Sequence, residues 1–229
     1  MQFLKKIAWT ILLLLLFGGL VFGGIFVRNA LTAKNYSDYW QQKTIDGGDF
    51  IYVAVGDSSA LGIGATDPKK SYVGILAAKI QETTGKLVKV INLASSNADI
   101  DQVISVQIPK LHSYKPDLVT VTVGIADVDK GIDPSVIAQK YDILLKLLPS
   151  RISYIAQLPS VYDYRKDFII QNINSELSTE ANQSGINVVP LYRATRKESY
   201  GFSYYDWDFK HPNDKGYEVW AEAFLNVIQ

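Results

Sequence analysis

The chain has 229 residues, which suits one membrane segment and one domain. Its 23 Lys and Arg residues balance 23 Asp and Glu residues, so net charge gives no reason to expect nucleic-acid binding. Cysteine is absent, which excludes thiolate nucleophiles, cysteine-based zinc sites, disulfides and lipid attachment to an N-terminal cysteine. Its absence does not identify the compartment, because disulfide-free proteins occur everywhere.

An uncharged apolar run occupies residues 7–27. At a rise of about 1.5 Å per residue it spans roughly 30 Å, the thickness of a bilayer core. A cleaved signal peptide is the alternative, but its apolar part is only about 7–15 residues long and ends at small residues. Residues 27–29 make a poor cleavage site of that type. We therefore predict an uncleaved transmembrane anchor over residues 1–28.

Orientation and domain organisation follow from the residues that flank this run. Lys5 and Lys6 precede it and Arg28 and Lys34 follow it, so basic residues lie at both ends. Because little of the chain precedes the run, we expect the N-terminus inside and the domain outside the cytoplasm, in a bacterial cell envelope. Polar residues 29–48 predict a tether that rests on the membrane or on the domain, and residues 49–229 predict a single domain.

Short apolar runs alternate with stretches of helical periodicity from residue 50 onward. The predicted strands cover residues 51–55, 87–93, 118–123, 152–158 and 188–191. The predicted helices cover residues 72–83, 100–111, 136–148, 168–181 and 213–228. This alternation predicts an α/β fold with a five-stranded parallel sheet, covered by helices on both faces. Ligands of such sheets bind beyond the carboxyl ends of the strands.

A serine and a histidine stand where they could form a nucleophilic site. Ser58 follows the first predicted strand, at a corner where its hydroxyl can project out of the sheet. Serine needs a base within hydrogen-bond reach, and His211 is one of only two histidines in the chain. Asp208, three residues earlier, has the spacing needed to orient the imidazole, which the nearby Asp206 lacks.

Four segments in this order resemble the GDSL, or SGNH, hydrolase family. They are residues 56–59, 91–97, 117–127 and 208–217. The resemblance implies a three-layer, flavodoxin-like α/β fold and hydrolysis of esters or thioesters through an acyl-serine. It carries Ser58 over as nucleophile, His211 as base and Asp208 as the residue that orients it, with no cofactor and no metal.

Two positions depart from the pattern of this family, and both concern the oxyanion. Asn97 stands where the family has a glycine, although asparagine tolerates the left-handed backbone that offers an N–H there. Ala126 stands where the family has an asparagine that helps to bind the oxyanion. We expect the backbone N–H groups of Ser58 and Asn97 to stabilise the oxyanion. We also hypothesise that the Asn97 amide replaces the missing donor, although an ordinary turn role for Asn97 has equal support.

Other polar residues have plainer interpretations. Asp57 is expected to bind loop N–H groups, and His112 to be solvated at the end of a helix. Gly62 and Gly64 lack the rest of any phosphate-binding fingerprint and are expected to give the loop flexibility. The acidic residues Asp127, Asp129 and Asp133 fit no cation-site template and predict a solvated loop. The aromatic side chains of segment 199–209 could line a substrate pocket or anchor a loop to the core, and the sequence favours the two roles equally.

The leading functional prediction is a membrane-tethered, extracytoplasmic serine esterase. Its substrates would be acyl lipids, acetylated glycans or other small esters, with the membrane as partner through residues 7–27. Two alternatives share the fold. One is a binding protein with weakened catalysis, which Ala126 favours. The other is an acyltransferase that passes the acyl group to an envelope glycan instead of water.

Overall fold

The computed structural model describes residues 2–45, 47–196 and 201–228. Five strands form one sheet: β1 Phe50–Gly56, β2 Val88–Asn92, β3 Leu118–Thr122, β4 Ser153–Ala156 and β5 Asn187–Val189. The α-helices are α1 Gln2–Ile45, α2 Ser58–Leu61, α3 Tyr72–Thr84, α4 Ile100–Gln102, α5 Ile108–Leu111, α6 Ile125–Asp129, α7 Pro134–Leu147, α8 Tyr164–Gln183, α9 Leu191–Thr195 and α10 Asp214–Leu225. A π-helical turn, Val103–Gln107, joins α4 to α5, and short 3₁₀ helices cover Pro68–Lys70 and Phe202–Tyr204.

The sheet confirms the predicted fold class. All strand pairs are parallel and the strand order is β2-β1-β3-β4-β5, which is the flavodoxin-like order. Each predicted strand is present, although residue 191 belongs to α9 and not to β5. The order reverses direction between β1 and β3, and Ser58 follows β1 at this switch point, where ligands of open α/β sheets bind.

Side chains that alternate along the strands divide the core into two halves. Val53 and Val55 of β1 pack with buried residues of α4, α5, α7 and α8 on one face. Tyr52 and Ala54 pack on the other face with α3, α10 and the second half of α1. The two-residue period of a strand sends neighbouring side chains to opposite faces. The result is the predicted three-layer arrangement, with the sheet in the middle.

Helix α1 is continuous for 44 residues, across the predicted boundary between anchor and tether. Its stretch Lys5–Lys43 contains a segment long and apolar enough to cross a membrane, a property that N-terminal signal sequences share. Further along α1, Tyr36 and Trp40 are buried against the domain. Tyr36 Oη donates to the carbonyl of Ala65 at 2.7 Å and Trp40 Nε1 to that of Leu61 at 3.0 Å. The second half of α1 is therefore a packed element of the domain.

Candidate active site

Three side chains from the two ends of the domain form one chain of hydrogen bonds. Ser58 Oγ lies 2.9 Å from His211 Nε2, and His211 Nδ1 lies 2.5 Å from Asp208 Oδ2. Ser58 and His211 are each less than a tenth exposed. The structure thus brings together the serine, histidine and aspartate that the sequence singled out, in the order that proton transfer from the serine to the imidazole requires.

The backbone around Ser58 is fixed from two sides. Asp57 caps the N-terminus of α2, and its carboxylate accepts the Ser59 N–H at 2.8 Å. Gly56 precedes it with φ of +148°, and a Cβ at Gly56 would come within 2.1 Å of the Thr122 carbonyl. Only glycine fits this approach between β1 and β3. Ser58 therefore leaves the sheet at a fixed corner, as the sequence indicated.

Gln107, in the π-helical turn, forms two hydrogen bonds with Gly56. Its side-chain oxygen accepts the Gly56 N–H and its amide donates to the Gly56 carbonyl, both at 2.8 Å. Gln107 is 2% exposed. It therefore satisfies both backbone groups of the residue two before Ser58, a structural role that was not predicted from the sequence. A polar residue on a predicted apolar helix face was the one signal that could have pointed to it.

Burial strongly affects the Asp57 carboxyl. It raises the pKa of Asp57 to about 6, while the Ser59 N–H and the charges of His211 and Lys210 act in the opposite direction. The carboxylate binds one loop N–H, that of Ser59, in line with the expectation that it binds loop N–H groups. Its raised pKa means that the ionised form destabilises the fold near neutral pH.

The segment that carries Asp208 and His211 is held by its own backbone. The Asp206 N–H donates to the His211 carbonyl at 2.8 Å, and Tyr205 pairs with Pro212 in an isolated antiparallel bridge. Asp208 Oδ1 accepts the N–H groups of Lys210 and His211, each at 2.9 Å. Burial raises the pKa of the Asp208 carboxyl, but the hydrogen bonds and charge of His211 outweigh it and hold the pKa well below its usual range. Asp208 is therefore a stable anion facing the imidazole.

Helix α1 reaches this segment directly. Asn29 Nδ2 donates to Asp208 Oδ2 at 2.9 Å. Its neighbour Arg28 forms an ion pair with Asp206 at 2.7 Å. Asp206 thus faces α1, while Asp208 faces both α1 and His211, which separates the two candidate carboxylates. No pattern in the sequence connects residues that lie 178 and 179 positions apart, so these contacts could not have been predicted.

A cleft of about 360 Å³ opens beside Ser58, within the size range of small-molecule sites. Its walls include Asn97, Ala126, Tyr162, Tyr205 and Phe209, together with Ser58 and His211. Asn97 has φ of +60°, the left-handed conformation that asparagine tolerates. Tyr205 and Phe209 belong to the aromatic segment and line the cleft, whereas residues 199 and 200 lie outside the described residues.

The acidic loop differs from the expectation. Asp127 is fully buried, accepts the Ile100 N–H at 3.0 Å and pairs with Lys140 at 2.9 Å. The prediction that it is solvated was wrong, because a lysine inside the fold compensates its charge. Asp129 bridges Lys166 and Lys210, each at 2.7 Å. No group of ligands suited to a metal ion occurs in the described ranges 2–45, 47–196 and 201–228.

The remaining candidates lie apart from Ser58 or act through the backbone. Asp133 caps α7 through the Ser135 N–H. His112 is exposed and lies 3.0 Å from the Leu147 carbonyl. Gly62 and Gly64 have φ near +100°, and a Cβ at Gly64 would lie 2.3 Å from the Pro212 carbonyl. Gly64 therefore permits close contact with the histidine segment, which differs from the flexibility that we expected.

The chain matches the family model of the GDSL-like lipase/acylhydrolase family over residues 54–219, more than half of its length. A comparison with curated proteins finds no match. Similar solved structures include an α/β hydrolase from the metagenome of Lake Arreo, Spain, at 20% identity and a TM-score of 0.65, covering 80% of this chain and 96% of that one.

Two further solved structures are similar over comparable lengths. The acetylxylan esterase Axe2 from Geobacillus stearothermophilus is 19% identical with a TM-score of 0.63, covering 79% of this chain and 94% of that one. A lipase/acylhydrolase from Enterococcus faecalis is 17% identical with a TM-score of 0.65, covering 77% and 94%. At these identities the structures establish the shared fold, and the family model establishes membership. The chain belongs to the GDSL-like lipase/acylhydrolase family.

Proposed function

We propose that this protein is a membrane-tethered serine hydrolase that cleaves carboxylic esters outside the cytoplasm. The observation that carries the proposal is the continuous chain of hydrogen bonds from Ser58 through His211 to Asp208 at the mouth of a cleft. A nucleophile, a base and a group that orients the base are the parts that acyl transfer through serine requires.

The first half of the reaction forms an acyl-serine. Ser58 Oγ attacks the ester carbonyl carbon while its proton passes to His211 Nε2. The negative charge of Asp208 stabilises the imidazolium that results. The tetrahedral intermediate then collapses, the ester C–O bond breaks, and His211 gives the proton to the departing alcohol oxygen. In the second half, His211 takes a proton from water, whose oxygen attacks the acyl carbonyl, and Ser58 recovers its proton as the acid leaves.

The oxyanion is stabilised in this proposal by the N–H of Ser58 at the start of α2 and by Asn97. Asn97 shares the cleft with Ser58 and has a left-handed backbone, a conformation from which backbone N–H groups can form an anion-binding concavity. Ala126 also lines the cleft and offers no side-chain donor. Each oxyanion donor raises turnover by a factor of about 10²–10³, so the loss of a donor at Ala126 would be costly unless another group replaced it. The side chain of Asn97 is the candidate for that replacement.

The apolar first half of α1 supports the proposal of a membrane tether. Its large side chains between residues 7 and 27 are mostly exposed. Lys5 and Lys6 precede this stretch, and basic residues favour the cytoplasmic side. Arg28, at the other end, is paired with Asp206 and therefore belongs to the part of α1 that contacts the folded domain. We therefore place the catalytic domain outside the cytoplasm.

A binding protein that has lost catalysis is the second candidate, and Ala126 is the observation that favours it. The two candidates differ in whether Ser58 is an activated nucleophile. We would treat the full chain in detergent with a fluorophosphonate probe, which reacts only with activated serines. Labelling of Ser58 is expected, with none in Ser58→Ala and full labelling in His112→Ala, which alters the other histidine. A folded chain that takes no label would contradict the hydrolase.

A further inference from the structure

We propose that the active-site cleft opens against the membrane that holds α1, and that its substrates are ester-bearing lipids of that membrane. The inference rests on the proposed function, which supplies the hydrolase and the tether. It adds the orientation of the domain on the bilayer and the class of substrate.

The direction of α1 sets the orientation. Asn29 contacts Asp208 at the carboxyl edge of the sheet, where the cleft lies. Towards its other end, Lys43 lines a surface groove with Leu87 and Val88, at the amino end of β2. The packed half of α1 therefore runs from the active-site edge of the sheet to the opposite edge. Because the apolar half precedes Asn29, the active-site edge is the edge nearest the membrane.

The distance along α1 from the end of the apolar run to Asn29 is short. Asn29 lies two residues beyond the apolar run that ends at Val27, which is about 3 Å along the helix axis. The polar headgroup layer on each side of a bilayer core is about 5–7 Å thick. Ile25, still within the apolar run, is already partly covered. If residues 7–27 span the core, then Asp208 lies at the depth of the lipid headgroups.

Four exposed aromatic side chains lie at this edge, two in the wall of the cleft and two outside it. We call Tyr162, Phe202, Trp207 and Phe209 the aromatic rim. They are 52%, 62%, 77% and 62% exposed. Trp207 lies between Asp206 and Asp208, which both contact α1. In water such a cluster is unfavourable, whereas at a membrane interface aromatic rings are favoured.

The rim continues into the catalytic cleft. The Tyr162 and Phe202 rings stack with centroids 4.4 Å apart, and Phe202 meets Phe209 edge-on at 5.8 Å. Tyr162 and Phe209 line the same cleft as Ser58. An apolar surface therefore connects the proposed bilayer contact to the nucleophile. In a lipid, the ester bonds join the polar headgroup region to the apolar chains. The ester carbonyl therefore lies near the headgroup depth, where Ser58 would meet it.

Activity on two substrates tests the substrate class. The full chain would be reconstituted in phosphatidylcholine vesicles that contain a fluorogenic diacyl lipid, and assayed in parallel with the soluble ester p-nitrophenyl acetate. Trp207→Ser should lower lipid turnover by about five-fold or more and leave soluble-ester turnover unchanged. Leu87→Ser, at an apolar position that is 54% exposed at the opposite edge, should change neither.

The absence of cysteine from the chain permits a direct test of position. Single variants Trp207→Cys and Leu87→Cys would carry an environment-sensitive fluorophore in vesicles with headgroup-depth nitroxide lipids. Quenching is expected at position 207 and not at position 87. This readout does not depend on catalysis, so it can fail or succeed separately from the hydrolase assignment.

The outcomes separate the two proposals. If neither ester is cleaved and Ser58 takes no fluorophosphonate label, the proposed function fails. If the soluble ester is cleaved but the vesicle lipid is not, or acetylated xylan is cleaved with higher kcat/KM than the lipid, the hydrolase stands and the lipid inference is overturned. Equal quenching at positions 207 and 87, or equal lipid turnover by Trp207→Ser and Leu87→Ser, also overturns it.

Discussion

Asn97 is the residue on which the strength of the proposed oxyanion site depends. Glycine at this position keeps the left-handed backbone, φ of +60°, and the backbone N–H, but removes the amide. If the amide replaces the donor missing at Ala126, Asn97→Gly should lower kcat by about 10²-fold or more with little change in KM. Steady-state kinetics on a soluble ester would measure this.

The matched control for this variant is Arg151→Gly, because Arg151 also has a left-handed backbone, with φ of +68°. It lies outside the cleft residues, so its turnover should equal that of the wild type. If Asn97→Gly behaved like Arg151→Gly, the Asn97 side chain would serve the turn alone.

Asp57 gives stability a pH dependence of defined sign. Its pKa is raised to about 6 by burial, above the value of about 4 in an unfolded chain. The stability that its protonated form contributes is fully present below pH 4 and is lost as the pH rises through 6. The loss amounts to about 3 kcal/mol, at roughly 1.4 kcal/mol for each pKa unit.

Asp57→Asn cannot ionise but keeps an oxygen that can accept the Ser59 N–H. We therefore expect the variant to be more stable than the wild type at pH 8, and this advantage to disappear at pH 4. Denaturant unfolding at a series of pH values would measure it. Asp163→Asn, at the exposed cap of α8, is the control. An advantage of Asp57→Asn that did not vary with pH would contradict the explanation.

Asn29 acts on the site through Asp208 and not on a substrate. Its hydrogen bond fixes the carboxylate that orients His211, so Asn29→Ala should lower kcat by about five-fold and leave KM unchanged. Asn29→Asp should lower it further, because a second negative charge would lie beside Asp208. Lys34→Ala, on an exposed part of α1, is the control, and a change in KM alone would contradict a positioning role.

At the scale of elements, the loop after α2 must approach the histidine segment closely. A Cβ at Gly64 would lie 2.3 Å from the Pro212 carbonyl and 2.9 Å from His211 Cβ, whereas one at Gly85 would meet nothing within 4 Å. Both glycines have positive φ. Gly64→Ala and Gly85→Ala therefore share the backbone penalty of about 1–2 kcal/mol, and only Gly64→Ala adds the clash.

We expect Gly85→Ala to lose about 1 kcal/mol of unfolding free energy and to keep full turnover. Gly64→Ala should lose more stability and at least ten-fold in kcat, because moving His211 by even a fraction of an ångström disturbs its contact with Ser58. Unfolding and turnover would be measured on the same preparations. Equal turnover in the two variants would mean that the loop yields without moving His211.

The regular elements were predictable because apolar periodicity and strand-end motifs are local in sequence. The helix predicted over residues 100–111 was correct in extent but contains the π-helical turn Val103–Gln107, which periodicity does not reveal. In a regular α-helix the Pro109 ring would meet the Ser105 carbonyl, and the wider turn relieves that contact. The same turn directs Gln107 at Gly56, a contact between elements that no local pattern encodes.

At the scale of the whole molecule, α1 combines the proposed tether with part of the domain and with two contacts to the catalytic segment, Arg28 to Asp206 and Asn29 to Asp208. Its packed half was predicted as a polar tether that rests on the membrane or on the domain, because Tyr36 and Trp40 are too few to produce an apolar stripe in the sequence that would decide between the two. In the structure both are buried and both hydrogen-bond to backbone carbonyls between β1 and α3. The stability of the domain and the position of Asn29 therefore depend on the same helix.

Trp40→Ala tests this dependence. Trp40 is 3% exposed, and removing a buried aromatic ring of this size costs about 3–5 kcal/mol. Because Trp40 holds α1 against the domain eleven residues beyond Asn29, the variant should also lower kcat. The decrease should not exceed the decrease caused by Asn29→Ala together with the loss of activity from any unfolded fraction. Tyr164→Ala, at a position 74% exposed, should leave stability unchanged. Denaturant unfolding of the full chain in detergent would give the stability of both variants. Equal midpoints for Trp40→Ala and the wild type would mean that the packing of Trp40 on the domain does not hold α1 in place.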